Sequence, residues 1–189
     1  MFKNWFGRAT SPTLDPRFSF AGFHVFLLNV QGSQLHVLSF LPPELVFVSA
    51  LPMEACMGTI LNHPAGPASM IAAANFQPNA QFDAYLHHHA ARVFAEDSGL
   101  QAEAKHQRRG NVFVLDARTP DPGGYVPPED ILGAFEVSDG SISAHSYRGN
   151  PQYRVVSING ICDLPPALWN AMIADLHASG QLRVHEARS

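Results

Sequence analysis

Short hydrophobic segments, each closed by a turn of Gly, Pro or Ser, follow one another along the first third of the chain. Residues 23–30 and 35–41 flank the turn Gln31-Gly32-Ser33, and residues 45–48 follow after Pro42-Pro43. Segments of this length that are rich in β-branched and aromatic residues are typical of strands. The pattern therefore predicts three antiparallel strands, a β-meander, at the start of the fold.

Four further hydrophobic segments predict strands in the second half of the chain. Residues 132–137 and 141–147 flank Asp139-Gly140, the strongest short hairpin signal in the sequence, because both residues readily adopt positive φ. Residues 112–115 precede this hairpin and residues 153–158 follow it. We expect all four segments to be extended.

Two segments carry hydrophobic residues at helical spacing. The side chain of Asn79 can cap the free amides of a helix that begins at Ala80 and ends near Ser98-Gly99. A second helix is predicted after Pro165-Pro166, with Gly180 beyond its end. Its apolar stripe consists of Leu168, Trp169, Met172, Ile173 and Leu176. These are the two principal amphipathic helices that we expect.

Three other segments give weaker signals. Residues 100–107 alternate between apolar and polar side chains, which favours a strand over a helix, although Ala, Glu, Lys and Gln are good helix formers. Residues 52–78 have no clear period and are predicted to be irregular. Residues 119–128 contain four prolines and Gly123-Gly124, which predicts an extended surface loop.

The order of these segments, runs of strands interrupted by single helices, predicts the α+β class. We expect a mainly antiparallel sheet of about six to eight strands, with the two amphipathic helices packed on it. Strictly alternating strand and helix units are absent from the sequence, which argues against a doubly wound parallel sheet. A single domain is expected over residues 18–182, with a turn and linker at 1–17 and a tail at 183–189.

A weak internal similarity makes a tandem duplication conceivable. When Gly32-Ser33 is aligned with Gly140-Ser141, later turn and strand positions coincide without a gap. Each half also contains an amphipathic helix. The similarity permits two pseudo-repeats, 18–99 and 100–182, although so few matched positions also arise by chance.

The charge balance of the chain bears on its partners. The 189 residues include 12 Lys and Arg against 16 Asp and Glu, which gives a net charge of −4. Proteins that bind nucleic acid present a basic surface to the phosphates. We therefore expect no nucleic-acid partner.

Cysteine spacing and hydropathy bear on the cellular compartment. Cys56 and Cys162 are the only cysteines, and their separation fits neither a disulfide framework nor a thiolate zinc site, so we expect buried free thiols. Residues 1–8 are amphipathic but are not followed by the continuous apolar region of a signal peptide. The apolar-rich run 18–30 is too short to span a bilayer. We expect a protein of a bacterial-type cytoplasm with no membrane partner.

Three consecutive histidines lie in the first predicted helix. Consecutive residues advance by about 100° around a helix, so His87, His88 and His89 cannot converge on one metal ion. His89 falls on the apolar stripe and is predicted to be buried, whereas His88 is predicted to be solvated. His87 shares a face with Asp83, and this pair is the one candidate for a metal site. The sequence supplies no third ligand, and the other interpretation is an exposed ion pair.

A second polar group follows the strand predicted at 112–115. Asp116 and Arg118 alternate along the extended chain and therefore share a face, where they form either the floor of a polar pocket or a salt bridge. Glu129 and Asp130 belong to the loop expected nearby, and His145 to a nearby hairpin.

The sequence contains no nucleophile motif and no phosphate-binding loop, so no catalytic residue and no cofactor are predicted. We expect a small cytoplasmic binding or interaction protein, for which enzymatic activity is less expected than binding. A protein partner or self-association as a homodimer is compatible with this function. The alternative is a metal-dependent hydrolase that binds a divalent metal through Asp83 and His87.

Overall fold

The computed structural model describes residues 12–16, 18, 20, 22–30, 32–47, 51–61, 71–119 and 124–182. It confirms the α+β class, because antiparallel sheets are combined with helices. The described residues divide into two compact units. Unit 1 runs to Asp83 and resumes at Ile173, and unit 2 comprises Ala84–Met172.

Unit 1 contains a five-stranded antiparallel sheet whose strands are neighbours in chain order. The strands are β1 (Thr13–Leu14), β2 (His24–Val30), β3 (Ser33–Ser39), β4 (Cys56–Ile60) and β5 (Phe76–Pro78). The predicted hairpin is present as β2 and β3, with Val30 opposite Ser33. Phe26, Val37 and Leu38 are fully buried, so this hairpin supplies much of the core of the unit.

Unit 2 contains a three-stranded antiparallel sheet and a separate two-stranded hairpin. The sheet consists of β6 (Gly110–Leu115), β7 (Ile131–Val137) and β8 (Tyr147–Gly149), and the hairpin of β9 (Val156–Ser157) and β10 (Gly160–Ile161). Within the described residues, three sheets of five, three and two strands therefore replace the single sheet of six to eight strands that the sequence predicted.

The two predicted amphipathic helices are α2 (Ala80–Ala95) and α4 (Pro166–Ala178), and the chain passes from one unit to the other within each of them. Asn79 caps α2 as predicted, since its side-chain oxygen accepts a hydrogen bond of 3.0 Å from the amide of Gln81. Leu168, Met172 and Leu176 of the predicted stripe are fully buried.

The strand predicted at residues 45–48 is wrong. Pro43–Val46 form a single helical turn, α1, and residue 48 lies outside the described residues. Pro43 has the fixed φ that suits a first helical turn, and the amide of Phe47 closes that turn on the carbonyl of Pro43. The β-branched composition was a weaker signal than this local geometry.

The strand predicted at residues 100–107 is also wrong, because Ser98–Gln107 form a further long helix, α3. Asp97 caps it by accepting a hydrogen bond of 2.9 Å from the amide of Leu100. Gly99 therefore lies inside α3 and does not terminate α2, which ends at Ala95. The alternation was misleading because its apolar members are mostly alanines, which favour helix.

Two other regions differ in detail from the prediction. The segment 52–78 is not wholly irregular, since it contains β4 and β5, each preceded by a 3₁₀ turn. Asp139 and Gly140 have φ of 50° and 79°, as the predicted turn requires, but a 3₁₀ turn then separates them from β8. Within the segment 153–158, strand pairing is limited to β9. The proposed limits at 1–17, 18–182 and 183–189 stay a prediction.

A three-strand motif occurs once in each unit. Strands β3, β4 and β5 of unit 1 pair in the same order as β6, β7 and β8 of unit 2. The pairs β3–β4 and β6–β7 each contain a bulge at the same place. In β3–β4 the bulge follows Leu38, which lies opposite Gly58, and in β6–β7 it follows Val114, which lies opposite Gly133. The two motifs therefore share their register as well as their strand order.

Side-chain contacts support the same correspondence. A Cβ atom on Gly58 would collide with the ring of Phe76, and one on Gly133 would collide with the ring of Tyr147. Asn79 and Asn150 each close the motif with the same three hydrogen bonds, two from the side-chain amide and one from the backbone amide. The carbonyl acceptors are those of Met53, Cys56 and Met57 in unit 1, and of Pro128, Ile131 and Leu132 in unit 2. The structural correspondence aligns Gly58 with Gly133 and Asn79 with Asn150. It differs from the sequence alignment that placed Gly32-Ser33 on Gly140-Ser141.

Candidate functional site

Polar side chains of unit 2, most of them buried, gather on the loops after β6, before β7 and around the β9–β10 hairpin. We refer to them as the Arg118 cluster. Its members are Asp116, Arg118, Thr119, Asp130, Tyr153, Ser157 and Asn159. The side chains of Asp116 and Asp130 are fully buried and that of Arg118 is 3% exposed, so the charges are removed from water.

The guanidinium group of Arg118 is fully engaged by protein atoms. Nη1 donates to the carbonyls of Val155 and Gly160, at 3.1 and 3.0 Å, and Nη2 donates to those of Glu129 and Arg154. Nε lies 2.9 Å from a carboxylate oxygen of Asp130. Four of the five N–H donors of the guanidinium therefore bind backbone carbonyls, and the buried Nε, which has no hydrogen bond, is held by its ion pairs with the two carboxylates. This arginine fastens three loop segments together.

Asp130 connects the arginine to the hairpin. Its carboxylate accepts hydrogen bonds of 2.8 Å from Ser157 Oγ, 2.6 Å from Asn159 Nδ2 and 2.9 Å from Thr119 Oγ1. Burial acts to raise the pKa of Asp130, but these hydrogen bonds and the charge of Arg118 outweigh it and hold the pKa below its ordinary value. Asp130 is therefore the ionised centre of the cluster.

Asp116 has the opposite electrostatic balance. It accepts hydrogen bonds from the hydroxyl of Tyr153 at 2.9 Å and from the amide of Asp163 at 2.8 Å. Burial raises the pKa of Asp116 above its ordinary value, even though Arg118 and these donors act to lower it. Burial also raises the pKa of Tyr153 well above its usual range.

The corresponding positions of unit 1 are apolar. Phe40 and Asp116 each follow the bulged strand, and Phe82 and Tyr153 each stand three residues beyond the closing asparagine. The rings of Phe40 and Phe82 are in contact, with centroids 6.0 Å apart, where unit 2 has the hydrogen bond between Tyr153 and Asp116. Each unit has a 3₁₀ turn before the middle strand of the motif. The last residue of this turn is buried Ala55 in unit 1 and Asp130 in unit 2. The motif therefore folds without these charges.

The β9–β10 hairpin is the element that the cluster holds in place. Ser157 and Asn159 both donate to Asp130, and the amide of Asn159 donates to Ser157 Oγ. Gly160 has a φ of 104°, a conformation that other residues rarely adopt, and this closes the turn. Between the two anchored residues, Ile158 is 84% exposed.

His87 takes part in a neighbouring contact. Its Nδ1 lies 2.9 Å from the hydroxyl of Tyr147, and its ring packs between the rings of Tyr147 and Tyr153. A Cβ atom on Gly149 would come within 3.0 Å of the imidazole, so the glycine is needed for this approach. Tyr147 occupies the position that Phe76 has in unit 1. This is another position at which unit 2 has a polar group and unit 1 does not.

The three histidines have the environments predicted from helix geometry. His89 is buried, with its ring edge-on to Tyr85, His88 is exposed, and His87 is half-buried. Asp83 and His87 lie one turn apart on α2. In the described part of the chain, no three side chains of His, Cys, Asp or Glu are close enough together to hold a metal ion. The metal site at Asp83 and His87 stays a prediction.

The structure brings together part of the second polar group expected from the sequence. Asp116, Arg118 and Asp130 meet, whereas Glu129 contributes its backbone carbonyl and His145 lies exposed on a 3₁₀ turn. The sequence did not point to Tyr153, Ser157 or Asn159. The dipeptide Asn159-Gly160 is a hairpin signal that would have located the turn, although not its attachment to Asp130.

The cysteines have the character expected from their spacing. Cys56 and Cys162 are buried free thiols, and burial raises the pKa of each well above the usual range. Neither is in the reactive thiolate form at neutral pH.

Among the described helices, none has the length and the apolar composition needed to cross a bilayer. Comparison with protein-family models, with curated proteins and with solved structures gave no match.

Proposed function

We propose that this chain is a protein-binding module of the bacterial-type cytoplasm that contacts its partner through the β9–β10 hairpin of unit 2. The observation that carries the proposal is the environment of Ile158. This side chain is 84% exposed, while both of its neighbours are hydrogen-bonded to the buried carboxylate of Asp130. A large apolar group held in a fixed position loses little conformational entropy when it is bound.

The composition of the Arg118 cluster supports a positioning role. Removing charged groups from water costs free energy that their attraction often does not recover. Unit 1 builds the same strand motif with apolar residues at the equivalent places, so the scaffold itself does not need the charges. Their contribution is to the segment 153–163, whose backbone carbonyls and side chains they hold.

The chemistry of the hairpin indicates the class of partner. An exposed isoleucine fits an apolar pocket on another protein, and the surrounding amides and the Asn159 side chain suit the polar rim of such an interface. The net charge of −4 does not favour nucleic acid as that partner.

Site-specific photo-crosslinking tests the proposal. An aliphatic diazirine amino acid at position 158 should yield a discrete protein adduct in cells, and the same amino acid at position 61 should not. Leu61 is a suitable control because it is also an exposed aliphatic residue, at 44%, and lies in unit 1. The double variant Ser157→Ala/Asn159→Ala should weaken the adduct at 158. Equal labelling from both positions, or an adduct that is insensitive to the double variant, would contradict the proposal.

The metal-dependent hydrolase that uses Asp83 and His87 makes a different prediction. It requires stoichiometric metal in protein purified without an affinity tag, and loss of that metal in Asp83→Ala/His87→Ala. The geometry gives it less support, because Nδ1 of His87 faces the hydroxyl of Tyr147. Elemental analysis separates it from the binding module, which needs no metal.

A further inference from the structure

Strand β6 lies at the edge of its sheet, whereas its counterpart β3 does not. β3 pairs with β2 on one side and β4 on the other, but among the described strands β6 pairs with β7 alone. The equivalent residues of β3 and β6 also differ in how far their side chains are exposed to solvent. Val37, opposite Thr59, is fully buried, while Phe113, opposite Ala134, is 54% exposed.

β6 has few of the features that normally protect an edge strand. Edge strands are usually short, or carry charged residues or proline that prevent pairing with another chain. The six residues of β6 include neither a charge nor a proline, and Phe113 and Leu115 are exposed on one face. Its bulge after Val114 is no obstacle to pairing, because β3 has the same bulge and still accepts β2.

We propose that β6 pairs antiparallel with β6 of a second copy of this chain, to form a six-stranded sheet across a two-fold axis. Unit 1 supplies the template, because the equivalent edge carries an antiparallel strand of mostly large apolar residues, β2. The other edge strands of the described chain suit the role less well: β1, β9 and β10 have two residues each, β5 contains Pro78 and β8 contains Arg148. β6 itself has the required length and composition.

We place the two-fold axis at Phe113, because this register brings the two exposed aromatic side chains together. Residues opposite each other in an antiparallel pair lie on the same face of the sheet. This condition is met when Phe113 lies opposite Phe113 of the partner subunit, with the exposed Asn111 and Leu115 on the same face. The buried Val112 and Val114 then lie together on the other face.

The expected dimer is weak. Pairing through one six-residue strand buries less than the roughly 800 Å² per partner of a standard interface. We therefore expect a dissociation constant in the micromolar range or above, on the order of the weak interfaces of this size class. This interface does not involve Ile158 and does not rest on the proposed function.

Sedimentation velocity from low micromolar to near-millimolar concentration tests the pairing. The wild-type chain should shift from monomer to dimer, and Phe113→Lys and Phe113→Glu should each remain monomeric, because like charges meet at the axis. An equimolar mixture of the two variants should restore the dimer, since opposite charges then face each other. Leu61→Lys is the matched control, an exposed aliphatic residue of unit 1 whose change should leave the dimer intact.

Several outcomes would overturn the pairing. One is a wild-type chain that stays monomeric throughout the range, and another is a dimer that persists in Phe113→Lys, which would place the interface elsewhere. Failure of the mixed Phe113→Lys and Phe113→Glu variants to associate would exclude the register with Phe113 opposite itself. Binding of a different protein to β6 of the monomer would show that the partner of this strand is not a second copy of the chain. Circular dichroism verifies that each variant is folded.

Discussion

Asp116 and Asp130 belong to the same buried cluster, yet their pKa values move in opposite directions. Burial dominates at Asp116 and raises its pKa. At Asp130, hydrogen bonds from Asn159, Ser157 and Thr119 and the charge of Arg118 outweigh burial. Each carboxylate accepts three hydrogen bonds and faces Arg118, so the difference lies in the greater energetic cost of burying the charge of Asp116.

The stability of the protein should respond to the two carboxylates in opposite ways. Asp130 has a lower pKa in the folded chain, so its stabilisation is present above the ordinary carboxyl pKa and is lost as the pH falls below about 4. Asp116 has a raised pKa, so its contribution is greatest at low pH and is lost as the pH rises through the folded pKa. Carboxyl carbon chemical shifts, assigned with Asp116→Asn and Asp130→Asn, should give separate midpoints on either side of the ordinary value. A shared midpoint would contradict this account.

Tyr153→Phe should lower the free energy of unfolding by about 1 to 3 kcal/mol, because buried Asp116 loses a hydrogen-bond donor. The ring itself should fit, since Phe82 occupies the equivalent place in unit 1. The pKa of Asp116 should rise further, because the Tyr153 hydroxyl acts to lower it. Chemical denaturation and the Asp116 titration measure both effects. Tyr125→Phe, at an 82% exposed side chain, is the control and should change neither.

At the scale of elements, the same close contact between a glycine and an aromatic ring recurs in both units. Gly58 in β4 and Gly133 in β7 have no space for a methyl group, because an aromatic side chain of the next strand lies over each. Sequence reasoning did not identify this contact, since neither glycine has a positive φ or lies in a turn. The requirement comes from the neighbouring strand.

Gly133→Ala and Gly58→Ala should each destabilise the chain by about 1 to 3 kcal/mol, the usual cost of forcing extra volume into a packed site. Thermal or urea denaturation of the two variants measures this cost. Glu136→Ala is a control in the same strand as Gly133, at an exposed side chain, and should change stability by less than about 0.5 kcal/mol. A neutral effect of Gly133→Ala would show that Tyr147 moves aside without cost.

The elements that could be predicted are those specified by local chemistry. Asn79 before Ala80 specified the start of α2, and Asp139-Gly140 specified a turn. The errors at α1 and α3 arose where hydrophobic pattern was preferred to capping, as at Asp97. Strands β4 and β5 were missed because such short segments depend on their partners rather than on their own period.

At the scale of the whole molecule, the candidate site required contacts between distant parts of the chain. Sequence alternation placed Asp116 and Arg118 on one face, and this much was visible without coordinates. Tyr153, Ser157 and Asn159 reach the cluster through tertiary folding, and no spacing rule connects them to Asp130. Unit 1 has apolar residues at the equivalent positions, so the charges of the cluster are an addition to the strand motif.

The central claim is that the Arg118 cluster holds the β9–β10 hairpin while the strand motif stands without it. Amide hydrogen exchange of Ser157→Ala/Asn159→Ala tests this most directly, because Asp130 keeps its contacts with Arg118 and Thr119. Ser141→Ala, which removes an exposed hydrogen bond to Ser138, is the control. We predict faster exchange confined to residues 156–161, with β6, β7 and β8 as protected as in the wild type. Faster exchange throughout the sheet, or an unchanged hairpin, would contradict the account.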